Sequence, residues 1–320
     1  MTRLVLAADF GGTHLRAAIV DERGEVLFRE DHPTPPQASP GEAVQLVVDL
    51  LARTVEASGA APAAACIATA GLINANEGKV IFAPNIAGFR NVVLTTPVAQ
   101  RLGIPAYIEN DASAAALGEY RFGAGRGTRH LLHATLGTGI GGGIVIDGRL
   151  YRGAQGLAGE IGHIIIDPAG PRCTCGSRGC LEALVSGVAF AARARKLLEQ
   201  GKSAVLKELV GYEEPTAVHL FEAAKRGDRT CEAEVRNGGH ILGLGLGSLV
   251  NVLNPDAVTL SGGLLAMGEM LLGPMREAMG SMAYGPASGA LVRIGELGEN
   301  TGLLGAAAVA FERLEGNHAG

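Results

Sequence analysis

Hydrophobic and polar positions alternate along this chain with two periods, and the change from one to the other marks its elements. Leu4–Ala8 and Arg16–Val20 are short apolar-rich runs on either side of a Gly-Gly-Thr turn, and Asp21-Glu22-Arg23-Gly24 turns the chain into Val26–Arg29. Runs of this length between turn residues predict an antiparallel three-strand meander. Pro33, Pro35, Pro36 and Pro40 predict a loop. From Gly41 to Ser58 the period lengthens, placing Val44, Val47, Val48 and Leu51 on one side of a helix. Buried strands are predicted at Ala64–Ala68 and Ala106–Ile108, the latter ending at Glu109-Asn110-Asp111 before an Ala-rich helix, Ala112–Tyr120.

A second meander starts near Arg129: strand His130–Leu136, a glycine turn over 137–143, strand Ile144–Ile146, an Asp147-Gly148 turn and strand Arg149–Arg152. It echoes the first, the pattern of an internal duplication that builds two similar α/β halves. Helices are predicted at 181–199, 203–209, 216–226, 229–253, 264–279 and 303–315, with strands at Ala257–Ser261 and 290–294. The expectation is an α/β protein of two domains. The smaller spans 1–117, with the C-terminal segment 301–320 packing back onto it, and the larger spans 118–300. Ligands are expected in the cleft between them.

Composition narrows the function. At 320 residues and 47% hydrophobic the chain can fill two cores, and a net charge of −5 without a dense Lys/Arg tract leaves no footprint for nucleic acid. The N-terminal apolar run meets Asp9 too soon for a signal peptide. The uncharged stretch Ile241–Pro255 falls short of the ~20 apolar residues that span a bilayer. A cytoplasmic protein with no membrane partner is expected. Trp is absent, so hydrogen bonding rather than stacking would carry ligand recognition.

Two glycine turns, Asp9-Phe10-Gly11-Gly12-Thr13-His14 and Leu136-Gly137-Thr138-Gly139-Ile140-Gly141, each join two strands. Neither is a P-loop or a dinucleotide fingerprint, since no helix follows. Such turns offer amides and hydroxyls to anionic oxygen, although hairpins use glycine freely as well. Asp9, at the strand end, either supports Mg²⁺ or caps the turn. Arg16 either meets a phosphate or faces solvent. Asn110 and Asp111 end a buried strand at a helix start, where α/β proteins place catalytic groups; Asp111 as a helix N-cap is the plainer alternative.

His163 and the run Cys173-Thr174-Cys175-Gly176-Ser177-Arg178-Gly179-Cys180-Leu181-Glu182 supply one imidazole and three thiols, the count of a closed tetrahedral Zn²⁺ site. A disulfide would leave one of three clustered Cys unpaired. Three unrelated core cysteines would not cluster within eight residues. Cys66 and Cys231 stand alone and read as packing residues.

The Gly162-His163 pair, the Cys-rich run, Asp9-Phe-Gly-Gly-Thr-His14, Glu109-Asn-Asp111, Leu136-Gly-Thr-Gly-Ile-Gly-Gly-Gly143 and Leu260-Ser-Gly-Gly263 together resemble the ROK family (repressors, open reading frames, kinases), in family order over nearly the whole chain. The resemblance implies an actin-like, ribonuclease-H-like ATPase fold with a duplicated α/β core. It also implies ATP- and Mg²⁺-dependent phosphorylation of a hexose at its 6-hydroxyl, with glucose the leading substrate and fructose, mannose or an N-acetylhexosamine as alternatives. Asp111 matches the general base. Gly71, Asn85, Asn110, Glu160, His163 and Glu182 match sugar contacts, the Glu182 alternative being a helix N-terminal acid. Gly11, Gly12, Thr13, Gly137, Thr138 and Gly139 match the turns that flank the ATP phosphates, with Asp9 beside them. Gly262 and Gly263 match the adenosine side. His163 would give one ring nitrogen to a structural Zn²⁺ and the other to the sugar. Family analogy implies a homodimer or homotetramer. A sugar-responsive repressor-like binding protein is the rival from another class, but Asp9 begins its turn too early to leave room for a preceding DNA-binding domain.

Overall fold

The computed structural model describes residues 2–35, 39–83, 86 and 88–316. Asn85 and Pro36 lie outside the described residues. The first meander forms as β1 (Leu4–Phe10), β2 (His14–Asp21) and β3 (Val26–Pro33). Helix α1 (Pro40–Ser58) starts at Ser39, whose hydroxyl accepts the Glu42 amide while the Glu42 carboxylate accepts the Ser39 amide. This reciprocal cap, with left-handed Gly59 at the other end, sets both limits of the helix. Strand β4 (Ala65–Thr69) follows. Three short strands, β5 (Leu72–Asn74), β6 (Lys79–Phe82) and β7 (Arg90–Val93), then form a small sheet of their own before α2 (Thr95–Leu102). Neither this sheet nor α2 was expected, because strands of three or four half-exposed residues carry too little alternation to register. Strand β8 (Ala106–Asn110) leads directly into α3 (Asp111–Phe122).

The second meander is β9 (Leu131–Leu136), β10 (Ile140–Ile146) and β11 (Arg149–Leu150). The glycine turn is thus shorter than the sequence suggested, since Gly141–Gly143 belong to β10. Close packing explains Gly143: a Cβ there would come within 2.4 Å of the Ala116 side chain. The helix expected over 181–199 breaks at Ser186 into α4 (Leu181–Val185) and α5 (Gly187–Glu199), the Ser186 hydroxyl accepting the Ala189 amide as the α5 cap. Helices α6 (Ala204–Val210), α7 (Ala217–Lys225) and α8 (Arg229–Leu253) are capped by Ser203, Thr216 and Asp228. Strand β12 (Ala257–Ser261), a 3-10 turn at Gly263–Met267, α9 (Glu269–Met282), β13 (Leu291–Ile294) and α10 (Thr301–Gly316) complete the chain.

The larger sheets have orders β3-β2-β1-β4-β8 and β11-β10-β9-β12-β13. The first is an antiparallel meander extended by parallel β4 and β8; in the second, β10 and β11 pair antiparallel and β12 and β13 parallel, and the matching order repeats the duplication visible in the sequence. The chain divides into two compact units: Met1–His133 with Gly143–Gly159 and Gly295–Gly320, and Ala134–Gly142 with Glu160–Ile294. The boundary expected at 117/118 falls inside α3, which stays whole in the first unit. That unit's core gathers Leu6, Phe10, Ile19, Val47, Leu51 and Ile67, with Phe10 meeting Phe89 edge-on at 5.5 Å. No described helix is long and apolar enough to cross a membrane.

Candidate active site and metal centre

In the first unit, Asp9 precedes the Gly11–His14 turn, which closes through the Gly11 amide donating to the His14 carbonyl at 2.9 Å. The Thr34 hydroxyl donates to the Gly11 carbonyl, also at 2.9 Å, so the turn is braced from β3's end. Arg16 is half-buried and pairs with acids: its Nη1 lies 3.4 Å from Asp9 Oδ2 and its Nε 3.8 Å from Asp31. Burial pushes the Asp9 carboxyl above the ordinary carboxylate value. The Arg16 charge pulls it down and the Asp111 charge pushes it further up. Asp9 and Asp111 are therefore electrostatic neighbours within this unit.

Asn110, not Asp111, is the N-cap of α3. Its extended backbone lets Oδ1 accept the Ala112 and Ser113 amides at 3.0 and 3.1 Å. Its Nδ2 donates to the Gly71 carbonyl at 3.1 Å, so the structure brings Gly71, Asn110 and Asp111 together. Gly71 has φ +113, and a Cβ there would meet the Phe82 carbonyl, so its glycine is required by the backbone itself. Asp111 is then the first helical residue. Its Oδ1 accepts the Ala112 amide at 2.9 Å, while Oδ2 has no protein partner among the described residues. Although the residue opens to solvent, the protein crowded around it raises its carboxyl above the usual value, against a lowering by the Ala112 amide. A carboxylate with one fixed and one available oxygen suits a general base.

Gly302, in the first turn of α10, belongs to this site although no motif pointed to it. A Cβ there would lie 2.4 Å from Asp9 Cγ. No local signal could have marked it, since its partner sits at the other end of the chain.

In the second unit the turn Gly137-Thr138-Gly139 is held on several sides. The Gly187 and Val188 amides, at the start of α5, donate to the Gly137 and Thr138 carbonyls at 2.9 and 3.3 Å. Glu182 Oε2 accepts the Ile140 amide at 3.0 Å and occupies the space a Cβ on Gly139 would need. Glu182 is thus more than an exposed helix-terminal acid. Gly262, at φ +100, abuts the Leu136 carbonyl where a Cβ would clash at 2.3 Å, whereas Gly263 has open space beside it.

His163, Cys173, Cys175 and Cys180 place one ligand atom each within 4.8 Å of all the others. Cys173 Sγ is 3.6 Å from His163 Nδ1, and Cys175 Sγ is 3.6 Å from Cys180 Sγ. A tetrahedral Zn²⁺ with bonds of about 2.0–2.3 Å has edges of roughly 3.3–3.8 Å, so the donor set and its spacing fit that ion. All of these cysteines are free thiols, as are the buried Cys66 and Cys231. Backbone hydrogen bonds curl the loop so that its thiols converge: the Cys173 amide donates to Ser177, the Gly176 amide to Cys173 and the Gly179 amide to Pro171. Gly179, at φ +65, admits no side chain against the Asp167 carbonyl. With Nδ1 turned to the thiols, His163 presents Nε2 outward, 3.9 Å from the exposed Glu160 carboxylate.

The ROK family profile matches residues 5–313. The chain belongs to the ROK family. A glucokinase from Thermotoga maritima is 35% identical over 98% of this chain and 98% of its own length. The ROK hexokinase from Thermus thermophilus has a TM-score of 0.85 at 31% identity, covering 98% of this chain and 99% of that one. A ROK glucokinase from Streptomyces griseus, solved with glucose and AMPPNP, has a TM-score of 0.78 at 38% identity over 97% and 99%. The family is not confined to enzymes: a xylose repressor of Caldicellulosiruptor bescii is 32% identical over 88% of this chain and 71% of its own length. The fold of this ROK chain is the two-domain actin-like, ribonuclease-H-like ATPase fold.

Proposed function

We propose that this ROK chain, a hexokinase-type sugar kinase, transfers the γ-phosphoryl group of ATP to the 6-hydroxyl of glucose. The observation that carries the reading is Asp111, held at Oδ1, available at Oδ2 and with its charge felt by the Asp9 carboxyl. Asp111 accepts the proton of the 6-hydroxyl as its oxygen bonds to the γ-phosphorus, while the bond from that phosphorus to ADP breaks. Positioning and charge neutralisation supply most of the acceleration in such transfers, so a single well-placed carboxylate is enough. On the family resemblance, Gly11, Gly12, Thr13, Gly137, Thr138 and Gly139 are assigned to the ATP phosphates, and Gly262 and Gly263 to the adenosine. Asp9 offers the hard oxygen that suits Mg²⁺, which when bound would neutralise phosphate charge.

On the same resemblance, Gly71, Asn85, Asn110, Glu160, His163 and Glu182 are assigned to sugar hydroxyls. For Asn110 the remaining capacity is one Nδ2 proton, since its Oδ1 is spent on the α3 cap. His163, Cys173, Cys175 and Cys180 would hold Zn²⁺ as a structural ion. Four protein ligands leave no position for a reacting water. The ion's contribution is to lock the imidazole so that Nε2 keeps its outward aim.

The xylose repressor relative favours a second reading, sugar binding without turnover. ADP release measured with Mg²⁺·ATP across glucose, fructose, mannose and N-acetylhexosamines separates the two. Glucose-dependent release, strongest among the sugars, is expected. Sugar binding with no release by any of them would favour the second reading.

A further inference from the structure

Arg152 forms the centre of an ion triad that plays no part in the chemistry above. Its Nε donates to Glu109 Oε2 at 2.7 Å and its Nη2 to Glu312 Oε2 at 2.7 Å. The Glu109 side chain is only 3% exposed, and those of Arg152 and Glu312 are about one-fifth exposed. Both carboxylates have their second oxygen committed as well. Glu109 Oε1 accepts the Asn110 amide at 3.1 Å, and Glu312 Oε1 accepts the Leu150 amide at 2.9 Å. All of these residues belong to the first unit.

The triad is costly to bury unless its geometry is satisfied, and a planar guanidinium with separate N–H groups for two carboxylates satisfies it as an ammonium cannot. It ties three pieces of chain: the end of β8, the outer part of α10, and the segment after β11. The Arg152 carbonyl also accepts the Ala158 amide at 3.0 Å, shaping the glycine-rich stretch that runs on to Glu160. The line of bonds continues from Arg152 through Glu109 to the Asn110 amide, and from Asn110 Oδ1 into the first turn of α3, where Asp111 begins the helix.

We propose that Arg152 is a positioning residue for Asp111, fixing through Glu109 the strand end from which the base projects. The proposal rests on Asp111 being the base. A displacement of about 1 Å at a reacting group can cost about 10²-fold in rate, so Arg152→Lys, which keeps the charge but cannot bridge both carboxylates in plane, should lower kcat about 10- to 100-fold. KM for ATP should stay within about 2-fold, because the phosphate turns are not in the line of bonds.

The test is a double-mutant cycle on kcat with Asp111→Asn, with glucose stoichiometry by calorimetry to count folded protein. If Arg152 acts through Asp111, Arg152→Lys should change the residual rate of Asp111→Asn by less than about 2-fold. An equal loss in both backgrounds, or unchanged kcat in Arg152→Lys, overturns the proposal. Near-normal turnover by Asp111→Asn overturns the reading of Asp111 itself, a separate outcome. Should Arg152→Lys not fold, Glu109→Gln, which leaves Arg152 paired with Glu312, enters the same cycle with the same expectation and the same refutation.

Discussion

Replacing Gly302 by Ala adds a single methyl group against Asp9. The ideal Cβ lies 2.4 Å from Asp9 Cγ and 2.5 Å from Oδ2, where ordinary contact begins at 3.4 Å. The carboxylate must therefore withdraw by about 1 Å, a displacement that can cost about 10²-fold at a positioned group, or about 2.7 kcal/mol of barrier. The fold should not suffer. Gly302 lies in the first turn of α10 without a left-handed φ, so alanine fits the backbone and improves helix propensity by up to about 1 kcal/mol. Asp9 is a side chain that can turn aside, so strain is relieved at the site and not in the core. The expected result is a Tm equal to or above wild type, with turnover reduced about 10²-fold and a raised Mg²⁺ requirement, while glucose affinity by calorimetry changes little. A coupled ADP assay over a Mg²⁺ series reads the first two. Wild-type kcat and Mg²⁺ dependence in Gly302→Ala would refute the claim that Asp9 must occupy its observed place.

Purified protein should carry about one Zn²⁺ per chain and Cys175→Ser should lose it, as metal analysis would report; full occupancy in the variant would remove Cys175 from the ligand set. His163→Cys should retain the metal yet raise KM for glucose roughly 5- to 150-fold, the cost of about 1–3 kcal/mol for a lost bond to a buried partner, with KM for ATP steady; unchanged sugar affinity would leave His163 a metal ligand only. Asp111 has a carboxyl raised above its unfolded value, so holding it ionised costs stability at neutral pH, and the cost disappears as pH falls through the raised value. Asp111→Asn should therefore melt higher than wild type at neutral pH, the gap closing on acidification, and a gap that widens on acidification would contradict the sign.

Much of the fold was legible because its signals are local. The two meanders, the long helix after the proline loop and the strand leading to Asn110 are written in short runs of apolar residues and turn formers. The ligand set His163, Cys173, Cys175 and Cys180 was legible for the same reason, since three of its members lie within one loop. What escaped depends on distant partners. Gly143 looks like part of a turn until Ala116 is known to press against the strand. Asn110 and Asp111 are both good caps, and only the β8 backbone direction gives the role to Asn110. Gly302 and the Glu109–Arg152–Glu312 triad join segments far apart in the sequence, beyond any periodicity.

The central claim is phosphoryl transfer to one particular hydroxyl, and the product states it directly. Zinc-loaded protein with Mg²⁺·ATP and glucose should give a phosphomonoester whose ³¹P signal couples to the C6 protons, with one ADP per ester. No ester should form with 6-deoxyglucose. Ester formation from 6-deoxyglucose, or ADP released from glucose without any sugar phosphate, would contradict the account.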